Sequence, residues 1–423
     1  MKLSQKTISL LLVLLVAFID YMGIGLVYPT FSSMIFHTDF ELLPLDTSTS
    51  IRGLYLGFLL AAMPTLQFFS APFLGLLSDQ KGRKKILLLS LTIGVLGYGL
   101  CFVSVLLKNV FALILSRVVV GVSAGSVAIV AAAIADLSNT ESKGKNFGFY
   151  GMACGVGFMA GPPIGGILSE CNFFGMVGYA TPFLFAGVLT LLNLVLVAFW
   201  FHETLFLLVK KKLNLSTGIQ NIKKAFQLKD LSVVILCVFI FSFGWSFFYE
   251  FAPVTWIASY NISPTALGLL YTFAAGFYAL SSGLLIRYFI KKFKDQVLLF
   301  YCLLFSGLYI LLLLLQLSYF WLWFYLPLLQ FFVSILFPLS TTIVSNATDE
   351  KSQGEMLGIL QSVQSAAYSL SPLTSGSLLG LTVNMPIIVS GFSMLFGAVI
   401  IGFFLRKMVF TSKIFKPKHK LLP

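Results

Sequence analysis

Three ionisable residues interrupt long apolar runs in this sequence: Asp20 in "LLVLLVAFIDYMGIGLVYP", Arg117 in "FALILSRVVVGV" and Glu250 in "FGWSFFYEFAPVTW". A charged group deep in hydrocarbon is costly, so such residues are functional candidates by default. Burial disfavours the ionised form of a carboxyl, which lets the group exchange protons near neutral pH. Asp20 and Glu250 therefore fit proton transfer or the binding of a cation, with Arg117 as their countercharge. The structural alternative is an Asp20–Arg117 ion pair that simply joins two helices. Seven aromatic residues lie between positions 243 and 256 around Glu250. They read either as a wall for a cationic or amphiphilic molecule, with Trp245 and Tyr249 facing a cavity, or as an interfacial aromatic belt. Other chemistry is poorly supported. Cys101, Cys154, Cys171, Cys237 and Cys302 are scattered without disulfide or metal spacing, as are His37, His202 and His419. There is no paired catalytic constellation and no G-x-x-x-x-G-K-[ST] loop.

The elements that position these residues are membrane helices. Hydrophobic residues make up 58% of the 423 and charged residues 10%, against about a quarter charged in soluble domains. Apolar runs near 8–30, 53–77, 85–107, 110–135, 145–168 and 181–201 predict six spans. Six more follow near 231–257, 264–289, 296–316, 320–345, 354–380 and 385–406. With the N-terminus in the cytosol, 25 of the 28 Lys and Arg fall on the cytosolic side; only Arg52 and Lys108 fall opposite, and Arg117 lies within a span. That bias predicts cytosolic termini. It also explains the net charge of +13 without nucleic acid, since no soluble face carries a basic patch. The first apolar run is too long for a signal-peptide core and reads as a retained helix.

The spans divide into two halves. A long segment, 202–230, separates six from six, predicting an N-terminal bundle over 1–201, a cytosolic linker over 202–230, a C-terminal bundle over 231–408 and a basic cytosolic tail over 409–423. "ADLSNTESKGKNFGF" (135–149) aligns without gaps with "SNATDEKSQGEMLGI" (345–359), and "GPPIGGIL" (161–168) with "SPLTSGSL" (from 371), both at an offset of 210. "GLLSD" (75–79) aligns with "GLLIR" (283–287) at 208. A duplicated six-helix unit follows, with parallel repeats and a cavity between them near the midplane. Gln67, Gln361 and Gln364 are candidates to line it, although polar residues also join membrane helices. The alignment places Glu355 at the cytosolic mouth.

Four stretches carry a family resemblance: "GLLSDQKGRKK" (75–85), "RVVVGVSAG" (117–125), "GFMAGPPIGG" (157–166) and "IDYMGIGLVYP" (19–29), with "FHETL" (201–205) as a fifth. Together they resemble the major facilitator superfamily, in particular twelve-helix drug:proton antiporters of the tetracycline-exporter type. The resemblance implies an all-α integral membrane fold of two pseudo-symmetric six-helix bundles. It makes Gly75, Asp79, Gly82, Arg83, Lys84 and Asp136 a cytosolic gate. Asp79 would pair with cytosolic charges and cap the facing end of helix 11 while the transporter is open outward, with Asp136 a partner for Arg83; Gln80, where the family usually has a basic residue, departs from the pattern. Arg83, Lys84 and Lys85 are expected at the cytosolic surface. The third span has no acid between Ile86 and Leu107, where the tetracycline exporters have one.

The glycine- and proline-rich fifth span matches the antiporter motif at Gly157, Gly161, Pro162, Gly165 and Gly166. It is expected to pack closely, bend and rock, so that leucine at Gly157 or Gly161 locks one state. Gly376→Leu is expected to be milder, because the eleventh span keeps only Pro372 and Gly376. The resulting reading is a proton-coupled exporter of a drug or endogenous metabolite in the cell (inner) membrane, not an enzyme, needing no cofactor beyond the proton gradient. Its partners would be a small molecule, protons and lipid, with the chain acting as a monomer. A proton-coupled importer of a nutrient or siderophore is the alternative on the same scaffold.

Overall fold

The computed structural model describes residues 5–37, 40–139, 142–171, 178–205, 217–227, 231–282, 288–289, 292–315, 318–346 and 353–410. The repeat segment "GLLIR", residues 206–216 and 228–230 of the predicted linker and the tail from 411 lie outside them. Helices dominate and no strand occurs among the described residues. In chain order they are α1 (Gln5–Phe36), α2 (Thr49–Lys81), α3 (Arg83–Leu106), α4 (Val110–Ser123), α5 (Ser126–Asp136), α6 (Lys143–Glu170) and α7 (Thr181–Trp200). After the short α8 (Thr217–Gln227) come α9 (Ser232–Tyr260), α10 (Pro264–Leu280), α11 (Asp295–Leu312), α12 (Leu322–Asn346), α13 (Gln353–Leu378) and α14 (Met385–Phe410). Ten spans are long and apolar enough to cross a bilayer by length and composition, α4 and α5 together forming one. The shorter α10 and the more polar α13 bring the set to the expected twelve.

Two features add to the sequence expectations here. The predicted helix at 110–135 is broken at Ala124 and Gly125, because the chain turns there instead of continuing its hydrogen-bond ladder. The segment at 202–230 also contains a helix, α8, whose Ala225 is buried and whose Ile222 packs on the core of the second six spans. Asn221 of α8 donates to Ser362 Oγ at 3.2 Å.

Local chemistry sets the helix ends. Ser48, Asn109 and Ser263 each accept a backbone N–H with their side chains at the starts of α2, α4 and α10. Arg52 is folded inward, donating to the carbonyls of Ile35, Pro44 and Thr47, and so ties the end of α1 and the following loop to α2. Prolines 162 and 163 lie inside an unbroken α6; in membranes, neighbouring helices can meet the backbone needs that a proline creates.

The two sets of spans meet at two matching crossings on the side opposite the termini. In one, a side chain at Gly53 or Gly57 of α2 would sit 2.6 Å from the carbonyl oxygen of Gly376 or Pro372 in α13. In the other, a side chain at Gly268 of α10 would sit 2.5 Å from Pro162 O, and one at Gly166 of α6 would meet Pro264 O. Gly53 and Gly57 correspond to Pro264 and Gly268 at an offset of 211, and Pro162 and Gly166 to Pro372 and Gly376 at 210. Close backbone approach through small residues is a common way for membrane helices to associate. The expectation that special packing belongs to the first half is therefore wrong. Gly376 meets Gly53 backbone as tightly as any glycine of α6 meets its neighbour, because Pro372 and Gly376 are the motif residues that face the opposite half.

Candidate functional site

A cavity of about 210 Å³ lies between the two sets of spans. Arg117, Gln67, Tyr21 and Tyr28 line it from one side; Trp245, Tyr249, Glu250, Gln361 and Tyr368 line it from the other. Gln361, nearest the terminus side, is exposed. Gln364 is not among the lining residues, so its expected place in the cavity is not found. Glu355 falls outside the described side chains.

Glu250 is 5% exposed, and its Oε1 accepts the Ser246 hydroxyl at 2.9 Å. Its aromatic neighbours are not an interfacial belt. Phe247, Phe248, Phe251 and Trp256 are buried, while Tyr249 stacks edgewise on Tyr28, with ring centroids 5.2 Å apart, and lies tilted 5.5 Å from Phe158. Burying these rings anchors α9, and two of the other three, Trp245 and Tyr249, line the cavity.

Asp20 occupies a smaller side chamber with Tyr98, Tyr150 and Thr190, which shares Tyr21, Ile24, Met63 and Gln67 with the main cavity. Its carboxylate accepts Ser126 Oγ at 2.6 Å. The structural ion pair with Arg117 does not form: Arg117 Nη2 instead lies 3.1 Å from Met63 Sδ, and the guanidinium is 5.4 Å from the Phe31 ring centroid. Arg117 sits on α4 and Ser126 on α5, so the break between these helices sets the two groups in different chambers.

At the terminus side, Arg83 gathers the loop residues. Its guanidinium bridges Asp79 Oδ1 at 2.6 Å and Asp136 Oδ2 at 3.0 Å, and donates to Ser78 Oγ at 2.6 Å. Arg83 is 5% exposed, which corrects its expected surface position: two carboxylates and a hydroxyl replace its hydration. Asp79 is thus engaged within its own half, not against α13. Gly82 adopts φ 95° between α2 and α3, a conformation that favours glycine. Gly75 of α2 packs closely on α5, since an added methyl would come within 3.3 Å of Ala128 Cβ.

The sequence reading missed the role of Glu203. Its two carboxylate oxygens accept the backbone N–H groups of Arg83 at 2.9 Å and Lys84 at 3.1 Å, capping α3 from 120 residues away. Only "FHETL" offered a signal. Glu203→Ala should lower thermal stability by about 0.5–2 kcal/mol, the usual range for a lost helix cap, measured by unfolding in detergent. An unchanged melting temperature would show that water replaces the carboxylate without cost.

The glycines of α6 divide by partner. Gly157, Gly161 and Gly165 face the carbonyls of Phe18, Met22 and Leu26 in α1, one turn apart, whereas Gly166 and Pro162 face α10. The motif therefore joins α6 to its own bundle on one face and to the opposite bundle on the other.

Two six-helix sets enclosing a largely apolar cavity with a few polar and ionisable groups, with close crossings at one end, define a membrane transporter of the major facilitator fold. A family model described as Major Facilitator Superfamily matches residues 13–229 and 234–422, and the chain belongs to this family. It is 29% identical over 394 residues to the "Quinolone resistance protein NorA" of Staphylococcus aureus, covering 91% of this chain and 93% of that protein. It is 33% identical over 196 residues to the "Tetracycline resistance protein, class H" of Pasteurella multocida, covering 46% and 45%. The fold is similar to the crystal structure of a D-xylose-proton symporter, with TM-score 0.74 and 15% identity over 94% of this chain and 97% of that one.

Proposed function

We propose that this protein is a proton-coupled exporter of small organic molecules in the cell membrane, working by alternating access between two bundles, 1–201 and 231–408, joined through 202–230. The observation that carries the reading is a cavity shared by both bundles, with a buried carboxyl and a buried guanidinium in its walls. The relatives named for quinolone and tetracycline resistance support export. The positive charge bias assigns both termini to the cytosol, so the glycine crossings close the external side and the cavity faces inward. Asp20 is the proton carrier, and Glu250 with Trp245 and Tyr249 selects the substrate. The Arg83 cluster holds the cytosolic ends of the first bundle together.

Purified protein in proteoliposomes loaded with a pH-sensitive dye tests this directly, with candidate compounds added outside. Substrate entering the lumen should expel protons and raise the lumenal pH. A fall in lumenal pH with substrate entry would make the protein a symporter, and substrate movement without any proton movement would sink the coupling. In the same assay Glu250→Gln should keep coupled flux but raise the half-saturating concentration of cationic substrates by about tenfold or more, the value of one charge-assisted hydrogen bond. Loss of proton movement with unchanged substrate affinity would transfer the coupling role to Glu250.

A further inference from the structure

The cavity wall carries a guanidinium and, across from it, a carboxyl, and neither has all its polar atoms engaged. Arg117 is 3% exposed, and its Nε and Nη1 have no hydrogen-bond partner. A thioether and a phenyl face stabilise a cation but do not neutralise it. Neither nearby carboxyl pairs with it: Asp20 accepts Ser126, Glu250 Oε1 accepts Ser246, and the ion pairs found among the described residues belong to Arg83. On the opposite wall Glu250 Oε2 and the Tyr249 hydroxyl also lack partners. Buried polar atoms are nearly always paired, and a buried unpaired charge is especially costly. Tyr28, Phe158 and Tyr249 pack edge-to-face and tilted in the same cavity wall.

From this pairing of walls we infer that the cavity takes an aromatic zwitterion, its carboxylate on Arg117, its ammonium on Glu250 and its ring system against Tyr28, Phe158 and Tyr249. The inference rests on reading the cavity as the transport site. A guanidinium presents a fork of N–H donors matched to a carboxylate. A singly charged cation would satisfy Glu250 but meet the like charge of Arg117. A singly charged anion would satisfy Arg117 and be repelled by an ionised Glu250. Only a ligand with both charges engages both walls.

Three ligands with nearly the same ring system separate these cases: norfloxacin, a zwitterion; its methyl ester, which keeps only the amine charge; and its N-acetyl derivative, which keeps only the carboxylate. Binding to the full chain in lipid nanodiscs is read by equilibrium dialysis at neutral pH, without a proton gradient. The parent compound should bind at least about tenfold more tightly than either derivative. Arg117→Gln should abolish the preference over the ester while leaving ester affinity within about twofold, and Glu250→Gln should abolish the preference over the N-acetyl compound. Arg117→Lys, which keeps the charge, should retain part of the preference and guards against a folding defect.

Equal binding of parent and ester by the unaltered protein overturns the inference. So does equal weakening of all three ligands by Arg117→Gln in a variant of unchanged thermal stability, which would make Arg117 a structural countercharge. Binding of none of the three also overturns it. Proteoliposome flux separates this result from the exporter reading: coupled flux without the binding preference refutes the zwitterion alone, and the preference without flux refutes export alone.

Discussion

Gly376→Leu should leave the protein folded and shift its population about five- to 150-fold toward the state open on the far side, while Gly161→Leu should fold poorly and show no such shift. The difference lies in what each glycine touches. Gly376 faces the Gly53 carbonyl across the two bundles, and Gly161 faces the Met22 carbonyl and Leu26 N within one bundle, where an added side chain would come within 2.6 Å of that nitrogen. Overpacking typically costs about 1–3 kcal/mol. At a crossing made in only one state that cost becomes a population ratio. Inside a bundle that moves as a unit it is paid in both states and appears as lost stability. Thermal unfolding and the labelling rate of single cysteines placed at either mouth decide the matter. Four of the five native cysteines are buried, so background labelling concerns mainly Cys171. A stable Gly161→Leu protein with altered labelling, beside an unaltered Gly376→Leu protein, would restore the rocking role first expected of the fifth span. Gly166→Leu should behave like Gly376→Leu, because it meets α10 at the matching crossing.

Asp20→Asn should abolish proton movement while substrate exchange continues. Asparagine's carbonyl oxygen can accept the same hydrogen bond from Ser126 Oγ that the carboxylate accepts at 2.6 Å, so the local packing survives. The titratable group does not. Tyr21, Ile24, Met63 and Gln67 border both chambers, so a substrate in the main cavity can sense the charge on Asp20 without touching it. In proteoliposomes the variant should exchange labelled for unlabelled substrate at a rate insensitive to pH across the neutral range. Accumulation against a gradient should fall to the level of empty vesicles. Full coupling in Asp20→Asn would remove the residue from the mechanism.

The spans were legible because hydropathy and length constrain them directly, and most predicted ends fall within a few residues of the observed ones. Arg83 and Asp136 were legible as a pair through the motif, and the structure places them 3.0 Å apart. What escaped depends on tertiary contact. Gly53 and Gly57 look like any small residues in a membrane helix until α13 is laid against them. Glu203 carries no local pattern that points to α3. The division of the α6 glycines between α1 and α10 is likewise invisible in "GFMAGPPIGG", since both faces of the helix carry the same residue type. α8 had a usable signal in Ile219, Ile222 and Ala225 at helical spacing, but the basic residues around them drew the reading toward a plain linker.

The break between α4 and α5 limits which sequences this fold tolerates. Gly125 N–H donates to Val122 O and Val127 N–H to Ala124 O, so the carbonyls of Gly121 and Ser123 lose their usual partners four residues on. Ser70 donates to Gly121 O at 3.1 Å, Ser90 to Ser123 O at 2.7 Å, and Gln67 to Ala124 O at 3.1 Å. Donors from α2 and α3 thus take the place of the missing turn. In hydrocarbon an unpaired carbonyl costs several kcal/mol. A saturation scan should therefore find positions 70 and 90 closed to valine and leucine though neither lines the main cavity, with position 67 constrained twice, once by the ligand and once by the backbone it completes.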